Sequence, residues 1–143
     1  MFAVLNRLYI MGATEKIETK TAKIWIDDEG IVRFKIKEGA AVDLQEVEEH
    51  FNVYRKLVSK KNKALHLFES GEFFRFDIDA MKYVAKHAKD FFIASAIVHN
   101  SLAIRILYNF VHKFIVPPVP FKMFSTKSEA LEWLRAFRKE AKS

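Results

Sequence analysis

Residues 101–134, SLAIRILYNFVHKFIVPPVPFKMFSTKSEALEWL, decide the fold. Asn100 or Ser101 is placed to cap a helix over 102–115, which is almost wholly apolar. The Pro117-Pro118-Val119-Pro120 break must stop it, because proline has no amide hydrogen to donate and keeps the preceding residue out of helical geometry. Phe121 to Phe124 is long enough for one short strand. Thr126, with Glu129 three residues on, then forms a capping box ahead of a helix that turns Ala130, Leu131, Leu134 and Phe137 inward. Helix, break, strand and helix in immediate succession is the grammar of an α/β layer.

Working upstream, Ala22, Ile24 and Ile26 alternate with Lys23 and Trp25, Asp27-Asp28-Glu29-Gly30 turns the chain, and Val32, Phe34 and Ile36 alternate with Arg33, Lys35 and Lys37. This predicts a β-hairpin with one buried face. Asp43 with Glu46 starts a helix whose apolar positions Leu44, Val47, Phe51, Tyr54 and Val58 fall on one stripe. Ala64 to Phe68 and Phe91 to Val98 are short and apolar, as expected of central strands covered on both faces. Between them Asp77 or Asp79 caps a helix reaching about Lys89, with Met81, Val84, Ala85 and Ala88 inward. The expectation is a single α/β domain: a mixed sheet of about five strands, the N-terminal hairpin plus three crossover strands, covered by four helices.

Ser101, Arg105, the Asn109-Phe110 pair, Pro117, Pro118, Pro120, Phe124 and the run Glu129 to Leu134 together resemble a group of bacterial STAS-like proteins. These are distant relatives of the anti-sigma-factor antagonists, and most are uncharacterised. The resemblance covers residues 20–143 and implies a STAS-like sandwich with the same element order. Residues 1–19 are left as an N-terminal extension. Its first ten residues are apolar apart from Asn6 and Arg7, which interrupt the run, and lack a leading basic region, so they do not read as a signal sequence. Met11 offers an alternative start. The same residues fit either an added element packed on the domain or an extension outside the fold.

At 143 residues, half of them hydrophobic, the chain can build one domain with a substantial core. No apolar run approaches the roughly 18 residues needed to cross a bilayer. The absence of cysteine removes disulfides, thiolate catalysis and cysteine-ligated metal, and makes the cytoplasm the expected compartment. The net charge of +6 is uneven: residues 1–49 carry −3 and residues 50–143 carry +9. An acidic end and a basic body favour self-association or a protein partner. The Lys60, Lys61, Lys63 cluster follows a helix end, where cations meet unpaired carbonyls, so specific nucleic-acid binding is not expected.

Nothing in the sequence spells a catalyst. Four scattered glycines build no phosphate loop, dinucleotide fingerprint or nucleophile elbow, and the five histidines form no metal-binding pair at helical spacing. His66, within a buried strand, reads as a hydrogen-bonded core histidine. No cofactor is implied.

Two sets of residues remain as candidate sites. Arg105, Asn109 and His112 recur at helical spacing, with Ser101 heading the same face. A hydroxyl, free helix-end amides and a guanidinium can hold an anion, although the stripe is equally the solvent side of a helix. Ser70-Gly71 follows the first central strand, where the anti-sigma-factor antagonists carry a phosphoacceptor serine. Here Glu69 and Glu72 would repel phosphate, so a turn explains the pair as well. With Phe73, Phe74 and Asp77, Ser70 and Gly71 make up a candidate regulatory or partner loop. Phe73, Phe74, Phe76, Phe91, Phe92, Phe110, Phe114 and Phe121 are either ordinary core or the lining of an apolar cleft under the 102–115 helix. Two functions compete: a non-enzymatic interaction or regulatory module, with a protein partner or a second copy in a homodimer, and a domain binding a small apolar or anionic ligand through the 101–114 helix and the proline segment.

Overall fold

The computed structural model describes residues 14–59, 61–71, 73–111 and 119–142. The first thirteen residues, Glu72, His112, Phe114 and the Pro117-Pro118 pair therefore lie outside the described residues, as do the side chains of Asn109 and Phe110. The described chain runs β1 (Ile17–Glu18), β2 (Ala22–Ile26), β3 (Val32–Ile36), β4 (Ala41–Val42), α1 (Leu44–Leu57), β5 (Ala64–Glu69), β6 (Arg75–Phe76), α2 (Ile78–His87), β7 (Phe92–Val98), α3 (Leu102–Val111), β8 (Phe121–Phe124) and α4 (Lys127–Lys142).

Six strands form one mixed sheet in the order β1-β2-β3-β5-β7-β8. The β1, β2 and β3 strands pair antiparallel, and β5, β7 and β8 each extend the sheet in parallel. The hairpin and three crossover strands are the expected set, with β1 as an added edge. The Glu69–Phe76 segment, expected to be loop throughout, ends instead in a strand, since β6 pairs in parallel with β4 as a separate two-stranded sheet.

Local chemistry sets each boundary. In the hairpin turn Asp27 accepts hydrogen bonds from the amides of Glu29 and Ile31, and Gly30 takes the left-handed conformation, φ +79°, that a Cβ disfavours. Asp43 caps α1 by accepting from the Glu46 amide at 2.9 Å. At the start of α4 the Thr126 hydroxyl accepts from the Glu129 amide at 3.2 Å, while the Glu129 carboxylate in turn accepts from Thr126.

Each face of the sheet carries its own core. On one, Ile31, Leu65, Leu67, Ala94 and Ala96 pack beneath Ala130 and Leu134 of α4. On the other, Ala22, Ile24, Val32, Phe34 and Ile36 pack against Val47, Phe51 and Tyr54 of α1. The expected α1 stripe is correct except at Leu44, which stands 39% exposed in the first turn, while His50 is buried.

The α2 helix departs further from expectation. Ala80 and Ala88 are buried, but Met81, expected inward, is 48% exposed and Ile78 is 68% exposed. The cause is the partner α2 chooses. It packs chiefly on α1, with Tyr83 edge-on to Phe51 at 5.2 Å and His87 over the same ring at 6.3 Å, so its apolar stripe is not pressed flat against the sheet.

Phe34 joins the layers, stacking on Phe68 of β5 at 4.8 Å and meeting His50 of α1 edge-on at 4.9 Å. Truncation to alanine removes both contacts and leaves a cavity. Phe34→Ala should lower unfolding stability by roughly 3–5 kcal/mol, read as a drop in urea midpoint at unchanged slope.

Candidate functional site

Two concavities open on the described surface. The first is a polar cleft of about 470 Å³ at the carboxyl ends of β5 and β7, lined by Glu38, Ser70, Gly71, His99, Asn100, Ser101 and Ile104. Parallel strands present their binding loops at this end. Folding thus brings Ser70 and Gly71, thirty positions away in the chain, against Ser101, joining two sets that the sequence had kept apart.

Most polar groups in the cleft already have an internal duty. The Ser70 hydroxyl donates to the Val98 carbonyl at 2.8 Å. Ser101 caps α3, its Oγ accepting from the Ile104 amide at 3.3 Å, and its own amide donates to His99 Nδ1. The Arg105 guanidinium donates to the His99 carbonyl at 2.7 Å. Glu38 accepts from the Phe73 amide at 3.0 Å and lies so close to Gly71 that a Cβ there would sit 2.5 Å from its Oε2. Glu38 is exposed and its carboxylate is free to swing aside, so a side chain at Gly71 would displace that contact and not the backbone. A carboxylate lining the cleft works against an anion in it.

Glu69, expected to repel phosphate beside Ser70, pairs elsewhere. It meets the Arg33 guanidinium and lies 3.6 Å from Lys127 Nζ. Arg33 also reaches Asp27 at 3.3 Å. Phe73 stands 70% exposed beside the cleft. Asp77 holds the N-cap position of α2 without a side-chain cap bond, and its carboxylate lies 3.6 Å from Arg75 instead.

The second concavity is an apolar groove of about 570 Å³ between α2 and the sheet. Two rows of paired residues cross its floor. Phe34, Phe68, Ile97 and Met123 form one, and Val32, His66, Ser95 and Phe121 the other, each running from β3 through β5 and β7 to β8; all but Val32 line the groove. Tyr54 of α1 and Met81, Val84 and Ala85 of α2 supply walls. The aromatic residues expected around a cleft divide: Phe74, Phe76, Phe92 and Phe121 line the groove, whereas Phe91 is core packing 5.6 Å from Phe51. The helix above this lining is α2, and residues 102–106 of α3 take no part in it.

The polar groups of the floor are held neutral. His66 Nδ1 lies 2.7 Å from Ser95 Oγ and Nε2 lies 3.4 Å from the Tyr54 hydroxyl, while the imidazole stacks on Phe92 at 4.3 Å. Burial pushes its pKa down to about 3 and that of His50, bonded to the Thr21 hydroxyl at 2.6 Å, down to about 4. Burial also raises the Tyr54 phenol above its ordinary value. Reading the sequence placed His66 in the core correctly but gave no weight to His50, whose signal was its position on the α1 stripe one residue before Phe51. Among the described residues no group of three or more His, Asp or Glu side chains is arranged to hold a metal ion.

The architecture is a SpoIIAA-like, STAS-like fold. An uncharacterised DUF3478-family protein with a SpoIIAA-like fold from Shewanella loihica PV-4 superposes with a TM-score of 0.56 at 18% identity, over 84% of this chain and 90% of that one. More narrowly, residues 24–138 match the model of the domain of unknown function DUF7793, and the chain belongs to that family. A comparison with curated proteins finds no match. No helix among the described residues is long and apolar enough to cross a membrane.

Two tests follow from this geometry. The unfolded chain protonates its histidines near 6.5, whereas the folded chain resists until about 4 for His50 and about 3 for His66. Between those limits the unfolded state binds more protons. Stability should therefore be full above pH 6.5 and fall as the pH drops toward 3, by several kcal/mol in all, and His66→Gln should flatten the slope. Separately, Ser101→Ala should cost about 1 kcal/mol through loss of the α3 cap, most of which Ser101→Asp restores, as thermal denaturation of the three proteins would show.

Proposed function

We propose that this chain is a non-enzymatic STAS-like binding module whose ligand site is the apolar groove beneath α2. The observation that carries the reading is the exposure of the α2 stripe at Ile78 and Met81 directly over an aromatic floor. Small-molecule sites are concave, mostly apolar, of about 300–1,000 Å³, and carry a few convergent polar groups. The groove has that size and a largely apolar lining, with Lys82 exposed at its rim. Apolar surface left unburied on a folded domain marks a place of association, because covering it removes it from water at about 25 cal/mol per Å².

A second reading, a regulatory contact with a protein partner or a second copy, draws support from a different place. Phe73 is largely exposed next to Ser70 and Gly71, and the polar cleft with Ser101 and Arg105 adjoins them. Exposed aromatic residues beside a polar rim suit a protein interface. The two readings separate by experiment. N-phenyl-1-naphthylamine, a neutral apolar fluorophore, should bind the folded protein saturably at one site with enhanced, blue-shifted emission. Ala85→Trp, which fills the groove, should abolish that signal while the melting temperature stays within a few degrees of the parent. No saturable signal, or an unchanged signal in Ala85→Trp, would dismiss the groove as the site. Phe73→Ser should leave the probe signal intact and, on the partner reading, lower the oligomer mass or partner binding seen by native mass spectrometry.

A further inference from the structure

We infer that the groove takes a single-chain amphiphile with an anionic head, its tail laid across the sheet and its head at Lys82. This deepens the preceding proposal and rests on it. Three observations lead to the class.

The first is shape. Phe34 and Val32, at the β3 end, are covered by α1, so the open part of the floor crosses β5, β7 and β8, and at the usual strand spacing this is a track of roughly 10 Å. A track of that length, one helix wide, suits an extended chain of about medium acyl length. The second is the character of the floor. Phe34, Phe68, Phe92 and Ile97 offer no charge, and His66, Ser95 and Tyr54 satisfy one another, so the interior asks for no polar group from its occupant. A tail that brought a charge inside would lose its hydration without a partner.

The third is the distribution of charge at the rim. Lys82 is the one residue among the lining that carries a permanent charge, and it is exposed on α2 between Met81 and Tyr83. Among the described residues no carboxylate lies within ion-pair distance of it, although Asp79 stands one turn earlier on the same helix. Lys86 follows four residues later, so the exposed side of α2 beyond Asp79 is cationic. A lysine buries its methylene stem on apolar surface and keeps the ammonium in water, which places it to meet a carboxylate or phosphate at the mouth.

The test measures displacement of bound N-phenyl-1-naphthylamine by decanoate, decanol and decyltrimethylammonium, each below its aggregation limit, on the parent and on Lys82→Met. Decanoate should compete better than decanol by up to about fivefold, the upper end for a solvent-exposed ion pair, and decyltrimethylammonium worst. Lys82→Met should bring decanoate and decanol level, each competition being referred to the probe affinity of that same protein. High salt should narrow the difference. Probe binding with equal competition by all three chains would overturn the anionic head group and leave the groove as a site. An unchanged preference for decanoate in Lys82→Met would overturn Lys82 as the head-group contact. Failure of the probe to bind at all defeats the groove reading itself, so the two failures are distinct.

Discussion

The packing of α2 upon α1 is the contact on which the rest of this structure depends. Phe51, buried at the centre of α1, takes Tyr83 and His87 of α2 on one side and Phe91 on another. Those rings fix α2 by its Ala80, Tyr83 and His87 side. A helix presents only one stripe to one neighbour, and by giving that side to α1 it leaves Ile78, Met81 and Ala85 to border a groove. Had α2 lain flat on β7 and β8, those residues would have closed the core and no groove would remain.

The two faces of the sheet show the consequence. Beneath α4, alanines at 94, 96 and 130 allow close approach, Leu65, Leu67 and Leu134 fill the space, and the face is closed. Its margin is charged: Arg33 lies between Asp27 and Glu69, and Arg135 pairs with Glu29 across the hairpin turn at 2.7 Å. The Arg33 pairs are largely covered, whereas the exposed Arg135–Glu29 pair contributes modestly and seats α4 against the turn. Under α1 and α2 the residues are aromatic and larger, and rings stack without filling every gap. The buried imidazoles of His50 and His66 survive there because each finds a hydrogen-bonding partner and stays uncharged.

The polar cleft illustrates how a motif can be recognisable and still be occupied. Ser70, Ser101 and Arg105 meet at the strand ends where the fold class presents its loops, yet their hydrogen bonds run to Val98, Ile104 and His99. The bonds to the Ile104 amide and the His99 carbonyl satisfy backbone that the chain reversal would leave unpaired, and the Ser70 hydroxyl adds to the bond its own amide makes to Val98. The cleft is thus built first to end β7 and start α3, and a partner would have to add to those bonds or exchange them.

Much of the fold was legible in the sequence because local chemistry specifies it. Period-two alternation placed the hairpin, Asp43 and Thr126 started their helices, and Ala64 to Phe68 and Phe91 to Val98 read as central strands for want of polar alternation. His66 as a satisfied core residue was equally visible. Where α2 would turn its stripe was not, since the same pattern of Met81, Val84 and Ala85 serves a helix facing a sheet and a helix bordering a groove. That choice belongs to Phe51 and Tyr83, which lie 32 positions apart and meet only when α1 and α2 pack. The sequence by itself determined the hairpin, the central strands, the four helices and which residues are apolar, but not the short β4–β6 pair. Tertiary structure alone decided which apolar residues are covered, because burial depends on neighbours distant in the chain and not on local period.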